Sequence, residues 1–269
     1  MIYVVKSTGE IEPFSEAKVI SSMSRAGVPQ NLQKNAIAYI QDKLYQNIPT
    51  SKIYSFITEF LAKDHPEVKA KYNLKQAIMA LGPTGYPFED YVADILSKFG
   101  YSTKTRQILQ GRCVTHEIDI VAQKDTSRIM VEAKFHNIPG KKTEIHVALY
   151  TKARFDDILA KNNLNQVWLI TNTKLTTDAI AYAICIGMKV TSWDYPQGES
   201  LRELVEKAAL TPITSLTTFS LLQQQKLLEN HIVLCKDIYT NPEKLAPLGL
   251  SKEQIEKIKQ EASFICNLS

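Results

Sequence analysis

Two short runs in the middle of the chain, residues 116–122 and 130–136, alternate apolar with polar side chains and are rich in β-branched residues. This alternation predicts two strands, and the polar residues between them predict a hairpin. Because residues two apart share a face of a strand, Asp119 projects from one face of the first, and Glu132 and Lys134 from one face of the second. Such charges are costly to bury unless they pair or hold a metal. They are therefore candidates for a divalent-metal site.

Composition limits the classes of protein to which the chain can belong. Its 269 residues are 44% hydrophobic and 22% charged, which is ordinary for globular proteins and allows two or three domains. No apolar run reaches the ~18 residues of a membrane span, so we expect no membrane partner. The four cysteines are scattered, which indicates reduced thiols and a cytoplasmic protein. With a net charge of +4, any contact with nucleic acid must be local.

The N-terminal segment, residues 1–84, predicts a helical bundle with a β-hairpin lid. Two short apolar runs, residues 2–5 and 11–14, flank Gly9, as in a tight hairpin. Ser15 is a favourable residue for capping the helix that begins near Glu16. Three more helical patterns follow, at residues 33–45, 50–63 and 67–81.

The run Val4 to Phe14, with Lys18 four residues later, resembles the ATP-cone domain, a nucleotide-sensing module. The resemblance implies that ATP or dATP binds as a regulatory ligand. It also implies which positions contact the nucleotide: Val4, Lys6, Glu12, Lys18 and Thr50. Ser7 stands where the family usually has a second basic residue. From the residues alone, an alternative is that Lys6 and Lys18 are solvated side chains of a small fold.

The middle segment, residues 85–198, follows a glycine- and proline-rich break and predicts an α/β domain with a mixed sheet. An amphipathic helix over 88–99 precedes a polar strand over 101–109 and then the hairpin. The elements after the hairpin are a helix, a strand, a helix and a strand, at 144–159, 166–171, 177–187 and 189–193. The last three predict a parallel crossover unit.

This order of elements, with the acid and Glu-x-Lys pattern, resembles the PD-(D/E)xK nucleases, and most closely the Mrr-type restriction endonucleases. The resemblance implies four catalytic residues: Glu89 on the helix, Asp119 on the first strand, and Glu132 and Lys134 on the second. It further implies that Mg²⁺ or Mn²⁺ is held by Asp119, Glu132 and the carbonyl of Ala133. Hard cations of this kind take oxygen ligands.

Other polar residues near these acids are candidate substrate contacts: His116, His136, Tyr150 and Arg154. The two histidines flank the acids and are candidates for phosphate contact or proton transfer. The alternative is that they are hydrogen-bonded structural partners of the strands. Tyr150 and Arg154 lie four residues apart on one helix, so they share a face. They either contact or orient the substrate, or pack on the surface.

The C-terminal segment, residues 199–269, predicts an all-helical module. Its turn at residues 248–251, Leu-Gly-Leu-Ser, resembles a helix–hairpin–helix element that binds DNA phosphates. Ser251 replaces the usual second glycine. We therefore weigh a phosphate-binding hairpin equally against a packing module.

Taken together, the fold class is α/β, and the leading hypothesis is a Mg²⁺-dependent DNA endonuclease controlled allosterically by ATP or dATP. DNA and an adenine nucleotide are the expected partners, and a homo-oligomer is the expected state. The alternative is a non-enzymatic, nucleotide-sensing DNA-binding regulator built on a nuclease-like fold.

Overall fold

The computed structural model describes residues 2–6, 9–64 and 66–266. It divides into two compact units, one up to Gln76 and one from Ala77 to Cys266. Each unit contains its own cluster of buried apolar side chains. None of the helices in the described residues has both the length and the apolar composition that crossing a bilayer requires.

The N-terminal unit contains short strands and helices in this order: β1 (Tyr3–Val5), β2 (Ile11–Pro13), α1 (Glu16–Arg25), α2 (Gln30–Gln41), β3 (Ile48–Pro49), α3 (Thr50–Asp64) and α4 (Pro66–Met79), whose last residues belong to the second unit. Strand β1 is central, antiparallel to β2 and parallel to β3. The predicted helical bundle with a hairpin is confirmed. Strand β3 was not predicted, because two residues are too few to show an alternating pattern.

Local sequence explains where helix α1 begins and ends. The Ser15 hydroxyl accepts a 3.3 Å hydrogen bond from the N–H of Lys18, which caps the first turn. Gly27 ends the helical run with a φ of 73°, a left-handed conformation that glycine adopts without a steric cost. Beyond it, Ile40 and Ile48 are fully buried in the core of the unit.

The second unit begins with the α/β elements: α5 (Tyr86–Lys98), β4 (Ser102–Gln110), β5 (Thr115–Lys124), β6 (Ser127–Lys134), β7 (Lys142–Thr143), α6 (Ile145–Asn162), β8 (Gln166–Thr171), β9 (Lys174–Leu175), α7 (Thr177–Cys185) and β10 (Lys189–Thr191). The five-stranded sheet has the order β10-β8-β6-β5-β4. Strands β4, β5 and β6 are antiparallel neighbours, whereas β6, β8 and β10 are parallel. The predicted mixed sheet and crossover unit are confirmed.

The central hairpin turns through two residues between β5 and β6. Asp125, the first of them, has a φ of 51°, which matches the left-handed conformation that tight hairpins require. Met130, which shares a face of β6 with Glu132, is fully buried together with Ile158 of α6. On the opposite face Ile120 and Val131 are also fully buried. Both faces of the hairpin are thus covered, and the charged residues form a site at the end where the two strands separate.

The second unit ends in helices: α8 (Leu201–Ala208), α9 (Leu221–Glu229), α10 (Cys235–Thr240) and α11 (Lys252–Cys266), with 3₁₀ turns at Ile213–Ser215 and Pro242–Leu248. An isolated bridge joins Pro212 to Leu234. The Tyr91 hydroxyl of α5 donates a 2.7 Å hydrogen bond to the carbonyl of Leu210. The predicted helical character is confirmed, although α10 was not predicted because it has only six residues.

Candidate active site

Strands β5 and β6 diverge where the charged residues begin. Their last paired residues at this end are Ile120 and Val131. Beyond them, Asp119 Oδ2 accepts a 2.8 Å hydrogen bond from the backbone N–H of Ala133. The N–H and C=O of one strand residue point to the same side of the strand, so the Ala133 carbonyl also points into this fork. A carboxylate and a carbonyl therefore face one space.

Glu132 lies beside this fork and is held by an arginine from α6. Arg154 Nη1 lies 2.5 Å from Glu132 Oε2, and Arg154 Nη2 donates to the carbonyl of Glu117. Burial raises the pKa of Glu132 to about 7, and the nearby Asp119 carboxylate adds to the rise, which Arg154 opposes. The arginine thus fixes the orientation of Glu132 without fully neutralising the acidic cluster.

Glu89 comes from the first turn of α5 and is also buried. Arg106 of β4 spans two acids, with Nη1 at 3.5 Å from Glu89 Oε2 and Nη2 at 2.8 Å from Asp90 Oδ1. Burial, together with the charge of Asp119, raises the pKa of Glu89 to about 7. The helix carboxylate therefore belongs to the same electrostatic cluster as the strand acids.

Arg106 has an unusual backbone. Its φ is 52°, and the ladder between β4 and β5 is paired on either side of it, at Thr105 with Ile120 and at Gln107 with Ile118. Arg106 therefore stands opposite Asp119 at an interruption of the ladder. A left-handed non-glycine residue costs on the order of 1–3 kcal/mol, and such residues concentrate at functional sites. In this conformation the Arg106 guanidinium contacts the two acids of α5.

The four predicted catalytic residues line one cleft of about 260 Å³, together with Ala133, Gly85 and neighbouring residues of the adjoining turns. Lys134 differs from the two arginines, because its ammonium makes no ion pair or hydrogen bond to any described residue. Its charge nevertheless opposes the raised pKa values of Asp119 and Glu132. Lys134 is thus positioned to act on a group that enters the cleft.

The donors in this cleft suit a hard, hydrated cation. In the described residues, no group of three or more His, Cys, Asp or Glu side chains has the spacing to hold a metal ion by itself. Asp119, Glu132 and the Ala133 carbonyl offer oxygen atoms only, and Mg²⁺ characteristically keeps several waters beside one or two carboxylates. Burial raises the pKa of Asp119 and of Glu132, so added positive charge would stabilise their ionised forms. The residues therefore fit Mg²⁺ or Mn²⁺ with part of its water shell.

The two candidate histidines have partners outside the cleft. His116 Nε2 lies 2.8 Å from Asp157 Oδ2 of α6. His136 is buried, its Nε2 is 2.8 Å from Thr143 Oγ1, and burial lowers its pKa to about 4. Neither histidine lines the cleft that contains the four predicted catalytic residues. The structure favours the alternative in which both support the sheet.

Tyr150 and Arg154 share a face of α6, with the guanidinium 5.3 Å from the centre of the tyrosine ring. Arg154 is buried against Glu132, so it orients a carboxylate that was predicted to be catalytic. Tyr150 is exposed, and its role as a substrate contact stays a prediction.

The five predicted nucleotide contacts also meet, in the N-terminal unit. Val4, Lys6, Glu12, Lys18 and Thr50 all line a cleft of about 280 Å³. Glu12 Oε2 lies 2.8 Å from Lys6 Nζ and 2.7 Å from Lys18 Nζ, and these lysines, Lys18 foremost, lower the pKa of Glu12. The departure noted at Ser7 lies outside the described residues.

Two backbone amides of the C-terminal turn are already hydrogen-bonded within the chain. The Ser251 N–H donates to Gln254 Oε1 at 2.9 Å, and Ser251 Oγ accepts from the Gln254 N–H at 3.2 Å. This reciprocal pair caps α11. The Gly249 N–H is bonded to the Ala246 carbonyl. The structure therefore favours the packing alternative for this turn.

Arg106, Asp90, Asp157 and His231 are members of the site or its supports that the sequence did not single out. Arg106 lies in a strand of mixed polar residues, where nothing distinguishes it from Lys104. His231 Nδ1 lies 2.8 Å from Asp90 Oδ2, across 141 positions of sequence. Only the i, i+1 pair Glu89-Asp90 carried a signal, since two adjacent acids in a first helical turn need a cationic partner when they are buried.

Comparison with known proteins extends these observations. Three family models match consecutive parts of the chain: an ATP cone domain over residues 2–77, an Mrr-type restriction endonuclease catalytic domain over 82–204, and an AF1548-like C-terminal domain over 212–266. An uncharacterized protein of Archaeoglobus fulgidus is 41% identical over 175 residues, which are 65% of this chain and 99% of that protein.

A solved structure gives the same picture. The crystal structure of AF1548, described as a protein of unknown function, is 39% identical and superposes with a TM-score of 0.61. The match covers 69% of this chain and all of that one. The α/β architecture is therefore shared with an experimentally determined relative.

Proposed function

The chain belongs to the family in which an Mrr-type restriction endonuclease domain is joined to an AF1548-like C-terminal domain, here behind an ATP-cone domain, and on this premise we propose that it is a divalent-metal-dependent DNA endonuclease regulated by ATP or dATP. The proposal rests on one observation: Glu89, Asp119, Glu132 and Lys134 line a single cleft. We assign regulation to residues 1–84, catalysis to 85–198 and a supporting role to 199–269.

The residues of the cleft have separable roles. A bound Mg²⁺ or Mn²⁺ would supply an acidified water and positive charge at the phosphate. Asp119, Glu132 and the Ala133 carbonyl would hold the cation, while Arg154 keeps Glu132 in place. Lys134, which makes no ion pair with any residue that the structure describes, orients the attacking water or stabilises charge on the phosphate oxygens. Glu89 adds a carboxylate that is kept in the cleft by Arg106.

The nucleotide site is proposed to control this activity. Lys6 and Lys18 both contact one carboxylate, Glu12, in the N-terminal cleft. A polyphosphate would compete with Glu12 for these two ammonium groups, so binding rearranges an existing ion-pair cluster. Regulation further requires that the nucleotide bind two states of the protein with different affinities. Two homo-oligomers of different size are the simplest such pair of states. Light scattering with and without ATP tests whether the size of the oligomer depends on the nucleotide.

The proposed activity is tested by a cleavage assay over plasmid, linear, single-stranded, branched and methylated DNA. Each substrate is incubated with Mg²⁺ or Mn²⁺, with and without ATP. We expect nicking or cutting of at least one substrate that requires the metal and is abolished by Asp119→Asn. Asp125→Asn is the matched control, because Asp125 is an exposed acid in the turn of the same hairpin and Asn tolerates its left-handed backbone.

Three results would contradict or redirect the proposal. Cutting by Asp119→Asn at the wild-type rate would remove Asp119 from the site. Equal loss in Asp125→Asn would show that the assay reports folding and not chemistry. Tight DNA binding without cleavage of any substrate would favour the alternative, a nucleotide-sensing DNA-binding regulator.

A further inference from the structure

A chain of three contacts leads from the C-terminal helices to the catalytic cleft. His231 Nδ1 lies 2.8 Å from Asp90 Oδ2, Asp90 Oδ1 lies 2.8 Å from Arg106 Nη2, and Arg106 Nη1 lies 3.5 Å from Glu89 Oε2. His231 lies within the part of the chain that matches the AF1548-like C-terminal domain, whereas the other three lie in the endonuclease match. The contacts therefore connect two family-defined parts of one compact unit.

The C-terminal helices hold His231 in one backbone conformation. Its φ is 59°, and its N–H donates to the Leu228 carbonyl at the end of α9. The three residues after it are buried, and the Val233 carbonyl accepts a 2.8 Å hydrogen bond from the Ile213 N–H. Histidine is among the few side chains that tolerate this backbone region. The imidazole is therefore presented to Asp90 by a fixed scaffold.

At the other end of the chain, the contacts limit where Glu89 can lie. Glu89 and Asp90 are adjacent on α5, so their side chains diverge by about 100°, and one guanidinium reaches both. The Arg106 guanidinium also lies 5.9 Å from the centre of the Tyr86 ring. Because the contact with Glu89 is the longest of the three, its geometry depends on how firmly Asp90 and Tyr86 hold the arginine. Without His231, Asp90 loses the partner that fixes its second oxygen.

We propose that the C-terminal domain is a working part of the nuclease site: His231, through Asp90 and Arg106, positions the Glu89 carboxylate for cleavage. This rests on the proposed endonuclease function. His231, Asp90 and Arg106 are positioning residues, because they act on the substrate only through Glu89. This role gives the C-terminal helical segment a function, whereas the structure does not favour phosphate binding by its turn at residues 248–251.

The location of His231 makes the proposal testable without disturbing the core. Its side chain is 62% exposed, and it lines a cleft of about 480 Å³ together with Arg106 and the turn before α5. Pro83 lines both this cleft and the catalytic one. Replacing an exposed imidazole removes one hydrogen bond and little packing, so the protein should remain folded.

The experiment compares His231→Ala, His231→Asn and the control His146→Ala in the full chain. Asn places a side-chain N–H close to the position of Nδ1, and His146 is another exposed histidine, on α6. We expect His231→Ala to lower the single-turnover cleavage rate at saturating DNA 10- to 100-fold, as supporting residues of metal sites typically do. DNA affinity by fluorescence anisotropy should change less than twofold, and His231→Asn should restore most of the rate.

Independent of cleavage, a double-mutant cycle of melting temperatures between His231→Ala and Asp90→Asn should be non-additive. An unchanged rate in His231→Ala, a loss that appears only in DNA affinity, or equal damage by His231→Asn would overturn the proposal. Additive melting shifts would also overturn it, because they would show that His231 and Asp90 do not interact in solution. Absence of cleavage by the wild type in every condition would instead refute the endonuclease function, while the melting cycle would still test the contact.

Discussion

At the scale of single residues, Asp119 shows how the site is built into the sheet. Its Oδ2 atom accepts the Ala133 N–H, a bond that replaces the ladder pairing lost where β5 and β6 diverge. The alternation of apolar and polar residues correctly predicted that Asp119, Glu132 and Lys134 share a space. Arg154 was singled out as a candidate substrate contact, but its contact with Glu132 and the role of Arg106 were not predicted, because contact between a strand and a helix leaves no periodic signal.

His136 should make folding stability depend on pH. Its pKa is lowered to about 4 by burial, whereas an unfolded histidine titrates near 6.5. As pH falls from 6.5 to 4, the unfolded chain takes up a proton that the folded chain does not, so the free energy of unfolding decreases. After allowance for solvent screening, we expect on the order of 1 kcal/mol between pH 7 and pH 5.

Urea unfolding at pH 7 and pH 5 measures this effect, with His136→Gln as the comparison. Gln retains a side-chain N–H for Thr143 but does not titrate in this range. The variant should therefore lose less stability on acidification than the wild type. Parallel pH profiles for the two proteins would show that His136 titrates normally in the fold.

At the scale of elements, helix α6 holds the connection between β4 and β5. Asp157 of α6 accepts hydrogen bonds from the N–H groups of Cys113 and Val114 as well as from His116. A Cβ atom at Gly111 would lie only 2.0 Å from Asp157 Oδ2 and 2.5 Å from the Val114 carbonyl oxygen. The connection can pass this close to the helix only because residue 111 has no side chain.

Gly111→Ala should therefore displace the Asp157 carboxylate or the connection itself. We expect a loss of about 1–3 kcal/mol in the free energy of unfolding, the usual range for steric strain at a packed site. Gly85→Ala is the control, because its added methyl would meet the nearest atom, Glu89 Oε1, at an ordinary 3.6 Å. If both variants unfold at the same denaturant concentration, the close approach at Gly111 does not contribute to the free energy of unfolding.

The length of a strand or helix decided whether the sequence predicted it. Strand β8 was predicted with the bounds that the structure gives, Gln166–Thr171, because a buried parallel strand is a continuous apolar run. Strand β3 and helix α10 were missed, since each is too short to display a period. The left-handed backbone of Arg106 was also not predicted, because it becomes evident only from the pairing of the neighbouring strand residues.

At the scale of the whole molecule, the chain joins an ATP-cone domain to a restriction-endonuclease-like domain. ATP or dATP should raise the melting temperature, because a ligand that binds the folded state stabilises it by mass action, ~2.7 kcal/mol at a hundredfold excess over Kd. Lys6→Ala should weaken this shift, since Lys6 lines the N-terminal cleft and contacts Glu12.

Differential scanning fluorimetry over a range of ATP concentrations measures the shift. Lys34→Ala is the matched control, because Lys34 is an exposed lysine of α2 that does not line this cleft. It should behave as the wild type does. A shift in Lys6→Ala as large as that of the wild type would place the nucleotide elsewhere.

The single-turnover cleavage rate of Lys134→Ala in Mg²⁺ tests the proposed nuclease site most directly, measured on the best DNA substrate together with the DNA affinity. Lys134 has no ionic partner among the described residues, so its removal breaks no ion pair or hydrogen bond there. We expect the rate to fall by about 10²–10⁴ while the DNA affinity and melting temperature stay nearly unchanged. Cleavage by Lys134→Ala at the wild-type rate would contradict the proposed site.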